Sequence, residues 1–126
     1  MSLILIVEDN EKNLKLVRDV LQVKGHATVE AGTAEEGIRL AKERRPDLVL
    51  MDIELPGMSG VDALHALRAD AATAAIRVAA VTASVMERDR SKIMAAGFDE
   101  YISKPIDLKS FLASVRRLLD EGPRNA

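Results

Sequence analysis

The sequence predicts an α/β domain built on one doubly wound parallel sheet, and three observations lead there. Short apolar runs such as Leu3–Val7 and Leu48–Met51 have no alternation, as strands covered on both faces do not. Segments with helical spacing lie between these runs, so strand and helix alternate along the chain. Polar residues stand where the runs stop: Glu8 and Asp9, then Asp52, Thr82 and Lys104. Ligands gather at the carboxyl ends of strands in such sheets, so these groups should converge on one pocket.

The elements follow in order. The first strand is Leu3–Val7. Asn10 caps the first helix, whose Leu14, Val17, Val20 and Leu21 share a face, and Gly25 supplies a left-handed stop after Lys24. Ala27–Ala31 is a short second strand. Thr33 caps the second helix, with Glu36 where a capping box requires it and Ile38 and Ala41 facing inward; Pro46 forbids its continuation. Leu48–Met51 is the third strand. Leu55-Pro56-Gly57-Met58-Ser59-Gly60 is a loop by turn chemistry. Val61–Arg68 reads as the third helix, Ile76–Val81 as the fourth strand, and Met86–Ala96 as the fourth helix, ended by Gly97. Tyr101–Ile102 is a brief fifth strand. Asp107 then caps a last helix with the stripe Leu108, Phe111, Leu112, Val115 and Leu119. Five strands and five helices with right-handed crossovers result. Residues 1–120 form the domain and 121–126 a short flexible tail.

Composition narrows the function classes. A chain of 126 residues buries a real core, and here that core must be aliphatic, since there are two Phe, one Tyr and no Trp. A net charge of -2 argues against nucleic acid as a partner, because backbone phosphates demand a basic face. The absence of cysteine excludes disulfides and thiolate metal sites and fits a reducing compartment. The first apolar run stops at Glu8, too short for a signal peptide or a membrane span, so the chain reads as cytoplasmic with no membrane partner. His26 and His65 lack ligand-spaced neighbours and read as surface residues. Met51, Met58, Met86 and Met94 read as core gap fillers.

The strand-end residues suit phosphoryl chemistry. An aspartate carboxylate can attack phosphorus and form an acyl phosphate, and Asp52 is held at the sheet edge. Nucleophile and phosphoryl group are both anionic, so a cation is needed; Mg²⁺ takes one or two carboxylates plus phosphate oxygens and water. Glu8 and Asp9 can supply the carboxylates, Asp52 a third oxygen, and a backbone carbonyl at Glu54 another. Lys104 would neutralise one phosphoryl oxygen as a point charge, and the Thr82 hydroxyl would donate to a second. Lys104-Pro105 is a candidate cis peptide. Each residue alone has an ordinary reading: Glu8-Asp9 as a helix-dipole partner, Asp52 as a turn residue, Thr82 as structural, Lys-Pro as a loop. Compatible groups at four separate strand ends favour the joint reading.

The set Val7-Glu8-Asp9-Asn10, Leu50-Met51-Asp52-Ile53-Glu54-Leu55-Pro56-Gly57-Met58-Ser59-Gly60, Val81-Thr82-Ala83 and Ser103-Lys104-Pro105 resembles the response-regulator receiver domain of two-component signalling, over essentially the whole chain. Within that family the pattern is most similar to stand-alone cell-cycle regulators. The resemblance implies a flavodoxin-like sheet of strand order 2-1-3-4-5. It implies phosphorylation of Asp52 by a sensor histidine kinase or phosphotransfer protein, and Mg²⁺ held by Glu8 or Asp9. It further implies Lys104 on the phosphoryl group, Thr82 as the switch hydroxyl and Tyr101 as the aromatic switch. Glu54 and Ser84 stand at positions that tune phosphate lifetime in the family. The responding surface would be the fourth helix, fifth strand and fifth helix, between Met86 and Leu119, docking a downstream regulatory protein or kinase. A monomer or weak homodimer is expected, catalysing phosphoryl transfer and hydrolysis only on itself. The alternatives are a receiver cut from a longer protein, a small-molecule phosphatase with an aspartate nucleophile, and a pseudo-receiver scaffold.

Overall fold

A computed structural model describes residues 2–83 and 87–124, with Glu87 placed by its backbone alone. The chain alternates β1 (Leu3–Val7), α1 (Glu11–Val23), β2 (Ala27–Ala31), α2 (Ala34–Arg44), β3 (Leu48–Asp52), α3 (Gly60–Ala69), β4 (Arg77–Thr82), α4 (Glu87–Ala95), β5 (Glu100–Ser103) and α5 (Leu108–Glu121). The strands form one parallel sheet in the order β2-β1-β3-β4-β5.

The continuous apolar runs work as parallel strands because both faces of the sheet are covered. Leu5, Val7, Val49 and Met51 point into a core closed by α2, α3 and α4, around Ala34, Ala41, Leu64, Leu67 and Ile93. Ile4, Ile6, Leu48 and Leu50 point the other way, against Val17 and Leu21 of α1 and Phe111, Val115 and Leu118 of α5. All five residues of β3 are buried, as the central strand requires.

The helix starts are fixed by the expected caps. The Asn10 side chain accepts from the Lys12 and Asn13 amides, Thr33 from Glu36, and Asp107 from Ser110. Ser59, expected only as a loop residue, caps α3 by accepting from Asp62.

Several boundaries move. β3 runs one residue further, through Asp52, and β4 covers Arg77–Thr82 rather than Ile76–Val81. β5 extends to Glu100–Ser103. The polar end residues still pair, Asp52 with Val81 and Thr82 with Ser103, because ladder hydrogen bonds use the main chain and ignore side-chain polarity. α3 starts at Gly60, and α4 is described from Glu87. The expected helix start at Met86, its gap-filling role and the tuning position Ser84 lie outside the described residues. Met94 is 37 % exposed and fills no gap in the core.

Residues 121–124, the described part of the segment expected as a tail, make hydrogen bonds to the domain. Glu121 closes α5, the Gly122 carbonyl accepts from Arg77 Nε at 2.8 Å, and the Arg124 amide donates to the Ala75 carbonyl at 2.8 Å. Asn125 and Ala126 lie outside the described residues. Among the described residues no helix is long and apolar enough to cross a membrane.

Candidate functional site

The carboxyl edge of the sheet collects the residues singled out by sequence. β1 ends at Val7 and β3 at Asp52, side by side in the sheet, so Glu8 and Asp9 emerge next to Asp52. Oxygens of Glu8, Asp9 and Asp52 lie within 4.8 Å of one another. Glu8 and Asp52 are buried, at 6 % and 3 % exposure, whereas Asp9 is exposed. Three hard carboxylate oxygens at one rim are the donor set of a Mg²⁺-type cation.

Lys104, the residue after β5, closes the group. Its Nζ lies 3.0 Å from Glu8 Oε1 and 3.1 Å from Asp52 Oδ2. Its backbone amide donates to the Thr82 carbonyl at 2.8 Å, which fixes the loop after β5 onto β4. The Lys104–Pro105 peptide is cis.

The two buried carboxylates are oriented by the main chain. Asp52 Oδ1 accepts from the Glu54 amide at 2.9 Å, leaving Oδ2 toward Lys104. Glu8 Oε2 accepts from the Asn10 amide at 3.2 Å. Three carboxylates meet one ammonium here. Burial, reinforced by the hydrogen bond with Asp52, pushes the Glu8 pKa up to about 7, against the opposing pull of Lys104 and the Asn10 amide. Burial works against the Lys104 ammonium, but its bonds to Glu8 and Asp52 outweigh that and hold its pKa above the ordinary lysine value.

The Glu54 side chain reaches a different part of the edge. Its carboxylate is outside the acidic cluster and turned to β4, where Oε1 accepts from Thr82 Oγ1 and from the Ala83 amide, each at 2.7 Å. Thr82 is fully buried. Tyr101 is half-buried against the core beneath α4, with the Arg90 guanidinium 5.4 Å from its ring centroid. A groove of about 470 Å³ opens beside the site between Glu54, Thr82, Ala83 and the α4 residues Asp89, Lys92 and Ile93.

Two contributors escaped the sequence reading. A Cβ on Gly60 would stand 2.6 Å from the Asp52 carbonyl oxygen and 2.9 Å from Ile53 Cα, so only glycine lets α3 start this close beneath Asp52. Its signal was a glycine directly after the cap Ser59, read as turn chemistry. Asn10 was assigned only as a helix cap, yet its amide also holds Glu8; no side-chain pattern marks a backbone donor.

Comparison with known proteins adds the following. The response regulator receiver domain family matches residues 4–116. The chain is 42 % identical over 118 residues to the polar-differentiation response regulator DivK of Brucella anthropi, covering 94 % of this chain and 96 % of that protein. It is 41 % identical to the DivK of Brucella ovis over the same span. Among solved structures, the receiver domain of a sensor histidine kinase from Pseudomonas aeruginosa superposes with a TM-score of 0.87 at 28 % identity, covering 94 % of this chain and 98 % of that one. That structure has a magnesium ion coordinated in its active-site cleft. A CheY-like receiver domain protein from Methanospirillum hungatei gives a TM-score of 0.87 at 29 % identity, covering 96 % and 95 %.

Proposed function

This chain belongs to the response regulator receiver family, and on that premise we propose that Asp52 accepts a phosphoryl group from a phosphohistidine on a kinase or phosphotransfer protein. The observation that carries the reading is the placement of Lys104 Nζ, within 3.1 Å of Asp52 and 3.0 Å of Glu8 at the rim where Asp9 also lies.

In the transfer, an Asp52 oxygen forms the new O–P bond as the P–N bond to the donor imidazole breaks, and the imidazole takes a proton from solvent. The Glu54 amide on Oδ1 sets the carboxylate's orientation, which lowers the entropic part of the barrier. Lys104 balances charge on the incoming phosphoryl oxygens. Glu8, Asp9 and Asp52 would hold Mg²⁺, which supplies when bound the positive charge that two anionic reactants need to approach. The magnesium in the active-site cleft of the similar Pseudomonas domain supports magnesium as the cation. Hydrolysis reverses the state: water attacks phosphorus, inorganic phosphate leaves, and the Asp52 carboxylate returns. The catalysis acts on the protein itself, as suits a signalling device rather than a turnover enzyme.

Output follows from Thr82 and Tyr101. The Thr82 hydroxyl turns to a phosphoryl oxygen, and Tyr101, on the neighbouring strand, packs further inward behind it. The surface of α4, β5 and α5 then changes its fit to a downstream regulatory protein or kinase in the cytoplasm. Likeness to polar-differentiation regulators supports a role in cell-cycle or division control.

Incubation with acetyl phosphate and Mg²⁺, read by intact mass, tests the reading. One phosphate adduct, labile at alkaline pH and lost in Asp52→Asn, is the expected result. The same adduct persisting in Asp52→Asn would place the acceptor elsewhere.

A further inference from the structure

Glu54 does something that neither its expected role as a metal ligand nor phosphate lifetime describes. A single oxygen, Oε1, takes both the Thr82 hydroxyl hydrogen bond and the Ala83 amide hydrogen bond, each at 2.7 Å. These two donors sit at the carboxyl end of β4, next to the strand that ends in Asp52. The same residue's amide donates to Asp52 Oδ1 at 2.9 Å. One residue thus ties the acceptor carboxylate with its main chain and the switch hydroxyl with its side chain. Glu54 itself is largely exposed, so its carboxylate had water available and turned inward to a buried hydroxyl instead.

We propose that the Glu54 carboxylate is a built-in stand-in for a phosphoryl oxygen, holding the Thr82 hydroxyl and the Ala83 amide before phosphorylation and yielding them to the phosphoryl group afterwards. The proposal rests on Asp52 being the phosphoacceptor. Both groups are anionic oxygens that accept charge-assisted hydrogen bonds of this length, so they compete for the same pair of donors. They cannot share it: a phosphoryl group brings about -1.5 to -2 charge, and a carboxylate left beside it would be repelled. The groove next to the site gives the displaced carboxylate somewhere to go, with both Lys92 and Asp89 of α4 on its wall. Displacement would therefore pass the event from Asp52 to α4 through Glu54, in addition to the movement of Thr82. It also sets a threshold, because any phosphodonor must first break the two bonds that Glu54 makes.

Two measurements on the intact protein test this. The first needs no phosphodonor. The Ala83 amide resonance in an ¹⁵N–¹H spectrum should sit downfield in the wild type and move upfield in Glu54→Ala. The second is labelling by acetyl phosphate at fixed Mg²⁺, followed by mass. Glu54→Ala should label faster, by about tenfold if one charge-assisted bond limits seating of the phosphoryl group, and Glu54→Gln, which keeps an acceptor but loses the charge, should fall between. In a Thr82→Ala background the gain from Glu54→Ala should shrink by at least half. An Ala83 resonance unmoved by Glu54→Ala would overturn the proposal. So would an undiminished rate gain in the Thr82→Ala background, which would reduce Glu54 to general repulsion of the donor. Failure of acetyl phosphate to label wild type and variant alike would defeat the phosphoacceptor reading and this inference with it, and the Ala83 shift would then report the contact alone.

Discussion

The two ends of the sheet carry ionic clusters of opposite imbalance. At the carboxyl edge, Glu8, Asp9 and Asp52 face the single ammonium of Lys104. At the amino edge, Asp99 faces three guanidiniums, Arg68 at 3.1 Å, Arg77 at 3.2 Å and Arg124 at 3.3 Å. Most of the surplus arginine donors are completed inside the protein: Arg68 donates to the Ala74 and Ile76 carbonyls, Arg77 to that of Gly122 and Arg124 to that of Gly97, while Arg68 Nε is buried without a hydrogen-bond partner among the described residues. Asp99 in turn takes the Val78 amide. At the carboxyl edge the main chain supplies only the Asn10 amide to Glu8 and the Glu54 amide to Asp52, and burial, reinforced by the hydrogen bond with Asp52, pushes the Glu8 pKa up to about 7. A cluster that closes on main-chain carbonyls is scaffold. One left with excess negative charge at an open rim is built to be completed from outside.

The same substitution at both ends breaks or sharpens that contrast. Asp99→Asn leaves three guanidiniums around a neutral amide and should destabilise the fold by about 3–5 kcal/mol, measured by urea unfolding. Asp52→Asn removes one of the competing carboxylates and should leave stability in Mg²⁺-free buffer unchanged or raised. Equal losses at both positions would erase the distinction. Gly60→Ala comes next: its Cβ meets main-chain atoms of Asp52 and Ile53, which cannot swing aside, so a loss of about 1–3 kcal/mol is expected together with slower labelling at Asp52.

A pH series should sort the two ends further. Glu8 is harder to ionise in the folded chain, so between its ordinary value of 4.5 and about 7 the folded state binds more protons than the unfolded one. Its contribution to stability is therefore fully present below 4.5 and lost as pH rises through 7. Thermal melts without Mg²⁺ should show that decline, and Glu8→Gln should flatten it. Mg²⁺ affinity should rise over the same window as Glu8 gives up its proton. The smallest effect belongs to Arg124→Ala, which should cost about 1 kcal/mol and loosen the chain end without altering phosphorylation.

Much of this was legible in the sequence because the signals were local and mutually consistent. Unbroken aliphatic runs gave β1 and β3, and Asn10, Thr33 and Asp107 marked helix starts that the structure uses. Asp52 and Lys104 were recognisable because a strand end fixes where a side chain must emerge. What escaped were relations between residues of different elements. The closeness of Gly60 to Asp52 depends on how α3 folds back under β3. The direction of the Glu54 side chain is decided by donors at Thr82 and Ala83, 28 and 29 residues away. The clasp on Arg124 needs Asp99, Gly97 and Ala75 in place first, so a short polar tail with glycine and proline read as loose.

Borohydride reduction of the phosphorylated protein followed by peptide sequencing in the mass spectrometer tests the central claim most directly, because reduction turns an aspartyl phosphate into homoserine where it was formed. Homoserine in place of Asp52, and unmodified Asp9 and Glu8, is the predicted result. Homoserine in place of Asp9, or none despite a phosphate adduct on the intact chain, would contradict it.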